Sequence, residues 1–433
     1  MTPTKTYIRD SVSLTAITTD KFKTGMISLS LSLPLSQRLT AYNMLLSGVL
    51  RRGTEKFPSM ALLNKRLDEL YASAIEIKNA RFGKNEMLVF SAEILDNAFI
   101  DGSTDVLDGT LEIISQMLLH PLKDADAFPQ NIFEREKSNV TDAVKAEINN
   151  PKAYAANRCA ELLHKDDPDF PTLEELLKTI SETDAKTLYE YYLRLLASTE
   201  LRFFYVGSES SESVSKIIKE RFSEFNGSLT LPNPIKAEVF TELKTVTEDM
   251  PVSQGKLSIA FRTGVTAKDK EYFAAALFNE IFGGSPSSKL FMNVREKLGL
   301  CYYCSSSYDT YLGNITVSSG INVSDKDAAL GEILRQLEDI KQGIISDAEL
   351  TAAKKSIAHW YRQIYDYPFE LFAFYGTRSL FGIEASPEEY GKRFDAVTRD
   401  EIIKVARGVT LDTVYFLRGT LAKTNGETED CDE

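Results

Sequence analysis

Pro58-Ser59-Met60-Ala61-Leu62-Leu63 returns 228 positions later as Pro286-Ser287-Ser288-Lys289-Leu290-Phe291, and Leu70 falls on Leu298 at the same offset. Both copies read as a helix leading into a strand, Ala74-Ile75-Glu76-Ile77 in the first and Tyr302-Tyr303-Cys304-Ser305 in the second. Self-similarity over such a distance marks a duplicated structural unit.

The duplication extends in both directions. Upstream, Met26-Ile27-Ser28-Leu29-Ser30-Leu31 and Lys256-Leu257-Ser258-Ile259-Ala260-Phe261 read as strands, each followed by a helix. In the first helix Tyr42, Leu45, Leu46, Val49 and Leu50 fall at i, i+3, i+4, i+7 and i+8, an apolar stripe, and Arg51-Arg52-Gly53 suits its C-terminus. The second helix lies near Phe273-Ala274-Ala275-Ala276-Leu277-Phe278 and ends at Gly283-Gly284. Downstream, strand-like Asn85 to Glu93 pairs with Asn314 to Asn322, and Leu173-Glu174-Glu175-Leu176 with Pro387-Glu388-Glu389-Tyr390. Leu201-Arg202-Phe203-Phe204-Tyr205-Val206-Gly207 matches Thr413-Val414-Tyr415-Phe416-Leu417-Arg418-Gly419 as the closing strand of each half. Ser346 with Glu349, and Thr398 with Glu401, have capping-box spacing and predict helix starts.

A turn-rich stretch from Glu224 to Ser228 and on through Leu231-Pro232-Asn233-Pro234 joins the halves. The acidic tail from Asn425 to Glu433 reads as frayed. The predicted architecture is α+β: two tandem homologous domains, 1–226 and 236–433, each a mostly antiparallel sheet with helices packed on one side.

Composition bounds the function. Hydrophobic residues make up 43% and charged residues 26% of the 433, which suits a globular chain with ample core. Fifty Lys plus Arg against 63 Asp plus Glu give a net charge of -13, which argues against nucleic acid or an anionic membrane surface as the main partner. No apolar stretch approaches the roughly 18 residues of a membrane span. The start, Met1-Thr2-Pro3-Thr4-Lys5, does not resemble a secretory signal, so the expected location is the cytoplasm. Four cysteines (Cys159, Cys301, Cys304, Cys431) do not suggest a disulfide framework. The three histidines, His120, His164 and His359, are far apart in sequence, so no helical pair can hold zinc, and all three read as packed histidines. There is no G-x-S-x-G elbow, no Walker loop and no G-x-G-x-x-G.

Two places resemble the insulinase/pitrilysin-type metallopeptidases (metallopeptidase family sixteen), in the short form shared with mitochondrial processing peptidase. Leu290-Phe291-Met292-Asn293-Val294-Arg295-Glu296-Lys297-Leu298-Gly299-Leu300-Cys301-Tyr302 is similar to the family's L-F-x-x-x-R-E-K-x-G-L-x-Y. The resemblance implies that Arg295 and Tyr302, with the family's R-x₆-Y spacing, are directed at a scissile carbonyl, where a guanidinium and a phenol can donate to a developing oxyanion. In the N-terminal half, active members carry H-x-x-E-H on the first helix, ahead of a K-G-T-like turn. Aligning that turn with Arg52-Gly53-Thr54 puts Met44-Leu45-Leu46-Ser47-Gly48 at the motif, and the third zinc ligand falls near Asp142-Ala143. Both histidines and the glutamate base are missing, and a zinc-bound water needs three fixed ligands and a base.

The resemblance covers about Tyr7 to Arg418 and implies a LuxS/processing-peptidase-like fold in which two tandem halves form half of a clamshell. An empty zinc helix beside an intact R-x₆-Y segment resembles the zinc-lacking chains of bacterial two-chain members. It implies a zinc-bearing homologous partner, a peptide or unfolded polypeptide substrate, and no metal or other cofactor in this chain. It also implies that Arg295 and Tyr302 act in trans.

Plainer readings stand beside these. Glu296 and Lys297 flank Arg295, so a solvated helix end would look the same, and Tyr302 also reads as an aromatic on a half-buried strand. The N-terminal copy has Leu67 and Ala74 at the equivalent positions, so the bare fold does not require the pair. Gly283, Gly284 and Ser285 read either as a substrate-contacting loop or as a helix end followed by a new N-terminus. Cys301 and Cys304 are three apart on a predicted strand, so their thiols are expected on opposite faces and in structural roles. A second reading of the whole chain is a non-catalytic peptide-binding or scaffold protein on an inactivated peptidase fold.

Overall fold

The computed structural model describes residues 1–100, 102–229 and 231–421; the acidic tail from Asn425 to Glu433, with Cys431, lies outside the described residues. The elements run β1 (Thr4–Arg9), β2 (Val12–Thr18), β3 (Thr24–Pro34), α1 (Gln37–Leu50), α2 (Met60–Glu69), β4 (Ala74–Phe82), β5 (Asn85–Leu95), α3 (Val106–Leu119), α4 (Gln130–Ala146), α5 (Pro151–Leu163), α6 (Leu173–Glu182), α7 (Ala185–Ser198), β6 (Leu201–Gly207) and α8 (Ser211–Arg221). The second half repeats this order as β7 (Lys244–Met250), β8 (Gly255–Arg262), α9 (Tyr272–Asn279), two π-helical stretches (Glu280–Gly284 and Leu290–Lys297), β9 (Cys301–Asp309) and β10 (Asn314–Ile321). It closes with α10 (Lys326–Lys341), α11 (Asp347–Gln363), α12 (Pro368–Leu380), α13 (Pro387–Ala396), α14 (Arg399–Gly408) and β11 (Thr410–Gly419).

The two sheets carry the duplication in their topology. The first has the order β1-β2-β6-β3-β5-β4 and the second β7-β11-β8-β10-β9, the same arrangement without the outer strand. Each is antiparallel except for one parallel pair, β2 with β6 and β7 with β11. The expected α+β class with mostly antiparallel sheets is what the chain forms.

Alternation along β3 divides its two faces. Ile27, Leu29 and Leu31 are fully buried in a core shared with α1 and α3, while Ser28, Ser30 and Ser32 point the other way, as a period of two requires. The serine face is not bare. α12 lies against β3 and β6, and Phe372, Gly376 and Ser379 meet Ser30, Ser32 and Phe204 around a cavity of about 20 Å³. In the second sheet α5 packs on β8, β10 and β11. Both helices open with proline at their first position, Pro151 and Pro368, where the missing N–H leaves nothing unsatisfied. The main helical layer on one side is thus joined by a single helix on the other.

The compact units therefore differ from the contiguous split expected from the sequence. Of the described residues, one comprises those within 1–145, 167–235 and 359–390, and the other those within 146–166, 236–358 and 391–421. Each half of the chain contributes one helical segment to the unit built around the other half's sheet. An amphipathic pattern shows that a helix has an apolar face but not which sheet covers it.

The predicted capping boxes form. Thr398 Oγ1 accepts from Glu401 N at 3.3 Å and Glu401 Oε2 accepts from Thr398 N at 2.7 Å; Ser346 and Glu349 do the same. Of the histidines, His164 is buried and His120 half-buried, but His359 is exposed at the end of α11 beside exposed Trp360, a correction to its expected packing.

Candidate functional site

On α1, Tyr42, Leu45, Leu46, Val49 and Leu50 are buried, so the apolar stripe faces the core. The positions that align with the family's zinc motif, Met44 to Gly48, hold no donor set. The Ser47 hydroxyl donates to Met44 O at 2.9 Å, and Gly48 has no side chain. Glu136 of α4 fills the space beside it: a Cβ on Gly48 would lie 2.9 Å from Glu136 Oε2. Glu136 is nearly inaccessible, pairs with Arg52 Nε at 2.5 Å and accepts from Asn139 Nδ2 at 3.1 Å. Asp142, at the expected third ligand, is exposed. The α4 carboxylate that reaches α1 lies six residues earlier, and only the packing of α4 reveals it. Among the described residues no three His, Cys, Asp or Glu side chains gather as a metal site would require. The residues at this position do not fit zinc.

Deeper in the same unit, Tyr191 donates to Asn43 Oδ1 at 2.6 Å and Thr40 to Glu86 Oε2 at 2.8 Å. Burial pushes the Glu86 carboxyl above its ordinary value, against the lowering effect of Thr40, Asn43 and Arg81.

The second unit carries the Arg–Tyr segment. Leu298 N donates to Asn293 O at 3.2 Å, five residues back, which gives the wide turn of Leu290–Lys297. Such turns recur at functional sites. Gly299 then takes φ +62°, the left-handed conformation that ends a helix without a Cβ clash, and the chain enters β9, an edge strand. Arg295 lies over the Phe291 ring with its guanidinium carbon 4.7 Å from the centroid, its Nε is 3.6 Å from Glu296 Oε1, and 41% of its side chain is exposed. Tyr302 is 38% exposed, and its hydroxyl lies 3.5 Å from Asn322 Oδ1. Asn322 in turn donates to Asp325 Oδ2 at 2.8 Å. Asn322 and Asp325 were not singled out by the sequence, since each is one polar residue among many at a strand end.

Gly283 is buried where the helix and β9 come together: a Cβ would lie 2.8 Å from Ser306 N. Gly284 is exposed, and the Ser285 hydroxyl donates to Glu280 O at 3.3 Å, closing the helix end.

The cysteines depart from expectation. Tyr303 lies opposite Gly320 but Cys301 lies opposite Ile321, so Tyr302 is an inserted residue and the alternation reverses there. Cys301 and Cys304 share a face rather than diverging. The Cys301 thiol is held below its ordinary range by Cys304, with Ser319 and Arg295 acting the same way, while interaction with Cys301 and burial push Cys304 well up.

Comparison with known proteins agrees with this geometry. A family model described as the peptidase M16 inactive domain matches residues 183–357. The chain is 30% identical over 404 residues, 93% of its own length and 95% of the relative's, to "Probable inactive metalloprotease YmfF" of Bacillus subtilis (strain 168). It is 22% identical over 284 residues, 64% of each protein, to "Uncharacterized zinc protease YmxG" of the same organism. A conserved protein of Enterococcus faecalis V583 superposes with a TM-score of 0.89 at 27% identity, over 98% of this chain and 100% of that one. A peptidase M16 inactive domain from Pseudomonas fluorescens has a TM-score of 0.80 at 16% identity, covering 98% and 100%, and so shares the fold. Identity and coverage of this extent place the chain in the M16 metallopeptidase family, among its inactive homologues.

Proposed function

We propose that this chain is the catalytically incomplete subunit of a two-chain zinc metallopeptidase. Zinc and the general base belong to a homologous H-x-x-E-H partner, and Arg295 and Tyr302 contact the substrate carbonyl in trans. The observation that carries this reading is the partial exposure of two side chains that carry hydrogen-bond donors, Arg295 and Tyr302, around the turn into an edge strand. The duplicate position in the first half carries Leu67 and Ala74 instead. The existence in one organism of a relative called an inactive metalloprotease and another called a zinc protease supports a division of labour between chains.

The substrate is a peptide or unfolded polypeptide in extended form. Its backbone pairs with a sheet edge, which reads main chain more than side chains, and Gly284 and Ser285 line its path, while buried Gly283 lets the helix end pack on β9. The proposed location is the cytoplasm, supported by Cys159, Cys301 and Cys304 standing as free thiols.

The test is reconstitution. The chain is mixed with a zinc-bearing homologue from its own source, and peptide hydrolysis is compared with that of either chain alone. Activity only in the mixture, with kcat/KM reduced about 10²–10³-fold by Arg295→Ala or Tyr302→Phe, is the expected result. A metal-free homodimer, inert with every homologue of its source, overturns it and leaves the scaffold reading.

A further inference from the structure

The bulge at Tyr302 does more than turn one side chain. Cys301 and Cys304 lie opposite Ile321 and Ser319, which are two residues apart on β10 and point to one face. Three residues of unbroken strand would separate the cysteine Cα atoms by roughly 10 Å, whereas two registered positions span about 6.6 Å. That distance falls at the upper edge of the roughly 4.4–6.8 Å that a disulfide bridges. Both residues are free thiols, Cys304 2% exposed within the strand and Cys301 9% exposed at its start.

We propose that Cys301 and Cys304 form a peroxide-sensitive dithiol that closes to a disulfide across Tyr302. Cys301 is the thiol that reacts first, because it stands at the start of β9 and is the more accessible of the two, and its neighbours favour its thiolate. Its sulfur attacks one oxygen of hydrogen peroxide, the O–O bond breaks and the departing hydroxide takes up a proton, leaving a sulfenic acid and water. The Cys304 sulfur then attacks the Cys301 sulfur. The S–O bond breaks, and the hydroxyl leaves as a second water with the Cys304 proton. Two thiols have lost two hydrogens and one peroxide has become two waters. The closed ring also fixes the bulge that presents Tyr302. The proposal does not depend on the partner reading above.

The test uses the reduced full chain, exposed to graded hydrogen peroxide, blocked with N-ethylmaleimide and examined by intact mass and peptide mapping. The expected product has lost two hydrogens, maps to a 301–304 linkage and reverts with dithiothreitol. Cys304→Ser stops at a dimedone-reactive sulfenic acid on Cys301. Cys301→Ser, with unchanged circular dichroism, leaves Cys304 reduced at the same dose. In the reduced protein, Cys301 reacts with maleimide about tenfold faster or more than buried Cys159. A linkage through Cys159 or Cys431, separate oxidation of Cys301 and Cys304 without linkage, or equal reactivity of Cys301 and Cys159 overturns the proposal.

Discussion

Glu136 occupies the place a side chain on Gly48 would need, its Oε2 2.9 Å from where a Cβ would stand. A helix that in active relatives would present a metal ligand here presents a gap, and α4 closes it with a carboxylate paired to Arg52. The space beside Gly48 is thus filled by a packed ion pair and not by a metal ligand.

Gly48→Ala should be destabilising by about 1–2 kcal/mol, the usual 1–3 kcal/mol of overpacking less the roughly 1 kcal/mol that alanine gains over glycine inside a helix. Combined with Glu136→Ala, the loss should be smaller than the sum of the single losses, because the clash goes when the carboxylate goes. Urea unfolding of the four proteins measures this, and strict additivity would show that Glu136 is not the obstacle.

Glu86 governs a pH dependence. Its folded-state carboxyl is raised by burial, so its stabilising contribution is full below the ordinary carboxylate value and is lost as pH rises through the raised one. Glu86→Gln keeps an acceptor for Thr40 and removes the buried charge. The variant should be more stable than the parent at pH 7 by on the order of 1 kcal/mol, with the two converging in acid. Urea midpoints at pH 7 and pH 4 check the sign; a variant weaker at pH 7 contradicts it.

Asp412 anchors a buried ionic chain in the second unit. It meets Lys244 Nζ at 3.1 Å and Arg262 Nε at 3.0 Å. Arg262 continues to Glu238 Oε2 and to Leu163 O, each at 2.6 Å, and Glu238 to His164 Nδ1 at 2.6 Å. Asp412→Asn leaves buried Lys244 without a carboxylate and Arg262 with Glu238 alone, and should cost about 3 kcal/mol. Hydrogen exchange should show the amides of α5 losing protection first, since Leu163 and His164 tie that helix to the chain. Unchanged protection would mean that α5 is held by its apolar contacts alone.

Arg295→Ala and Tyr302→Phe, by contrast, should change the stability of the isolated chain by less than about 1 kcal/mol, because both side chains are substantially exposed. Thermal unfolding of the single chain tests this. A larger loss would assign the pair a packing role and weaken any reading of their effect on hydrolysis.

Much of the candidate site was legible before the fold. The R-x₆-Y spacing from Arg295 to Tyr302 and the lack of histidine around Met44 to Gly48 are properties of residue order. The bulge at Tyr302 was not legible, because Cys301 and Cys304 alternate normally until the register with Ser319 and Ile321 is known. Alignment points to Asp142 and not to Glu136, since residues six apart on a helix differ in direction and sequence spacing does not say which of them meets α1.

The sequence by itself determined the duplication, the α+β class and the missing zinc ligands. Each is carried by local periodicity or residue identity, which the chain holds without folding. Tertiary structure alone decided that α5 covers the second sheet and α12 the first, that Glu136 fills the place beside Gly48, and that Cys301 and Cys304 share one face of β9. These depend on which surface a helix buries and which residue pairs across strands. Contacts between distant segments settle both, and the order of residues along one segment does not fix them.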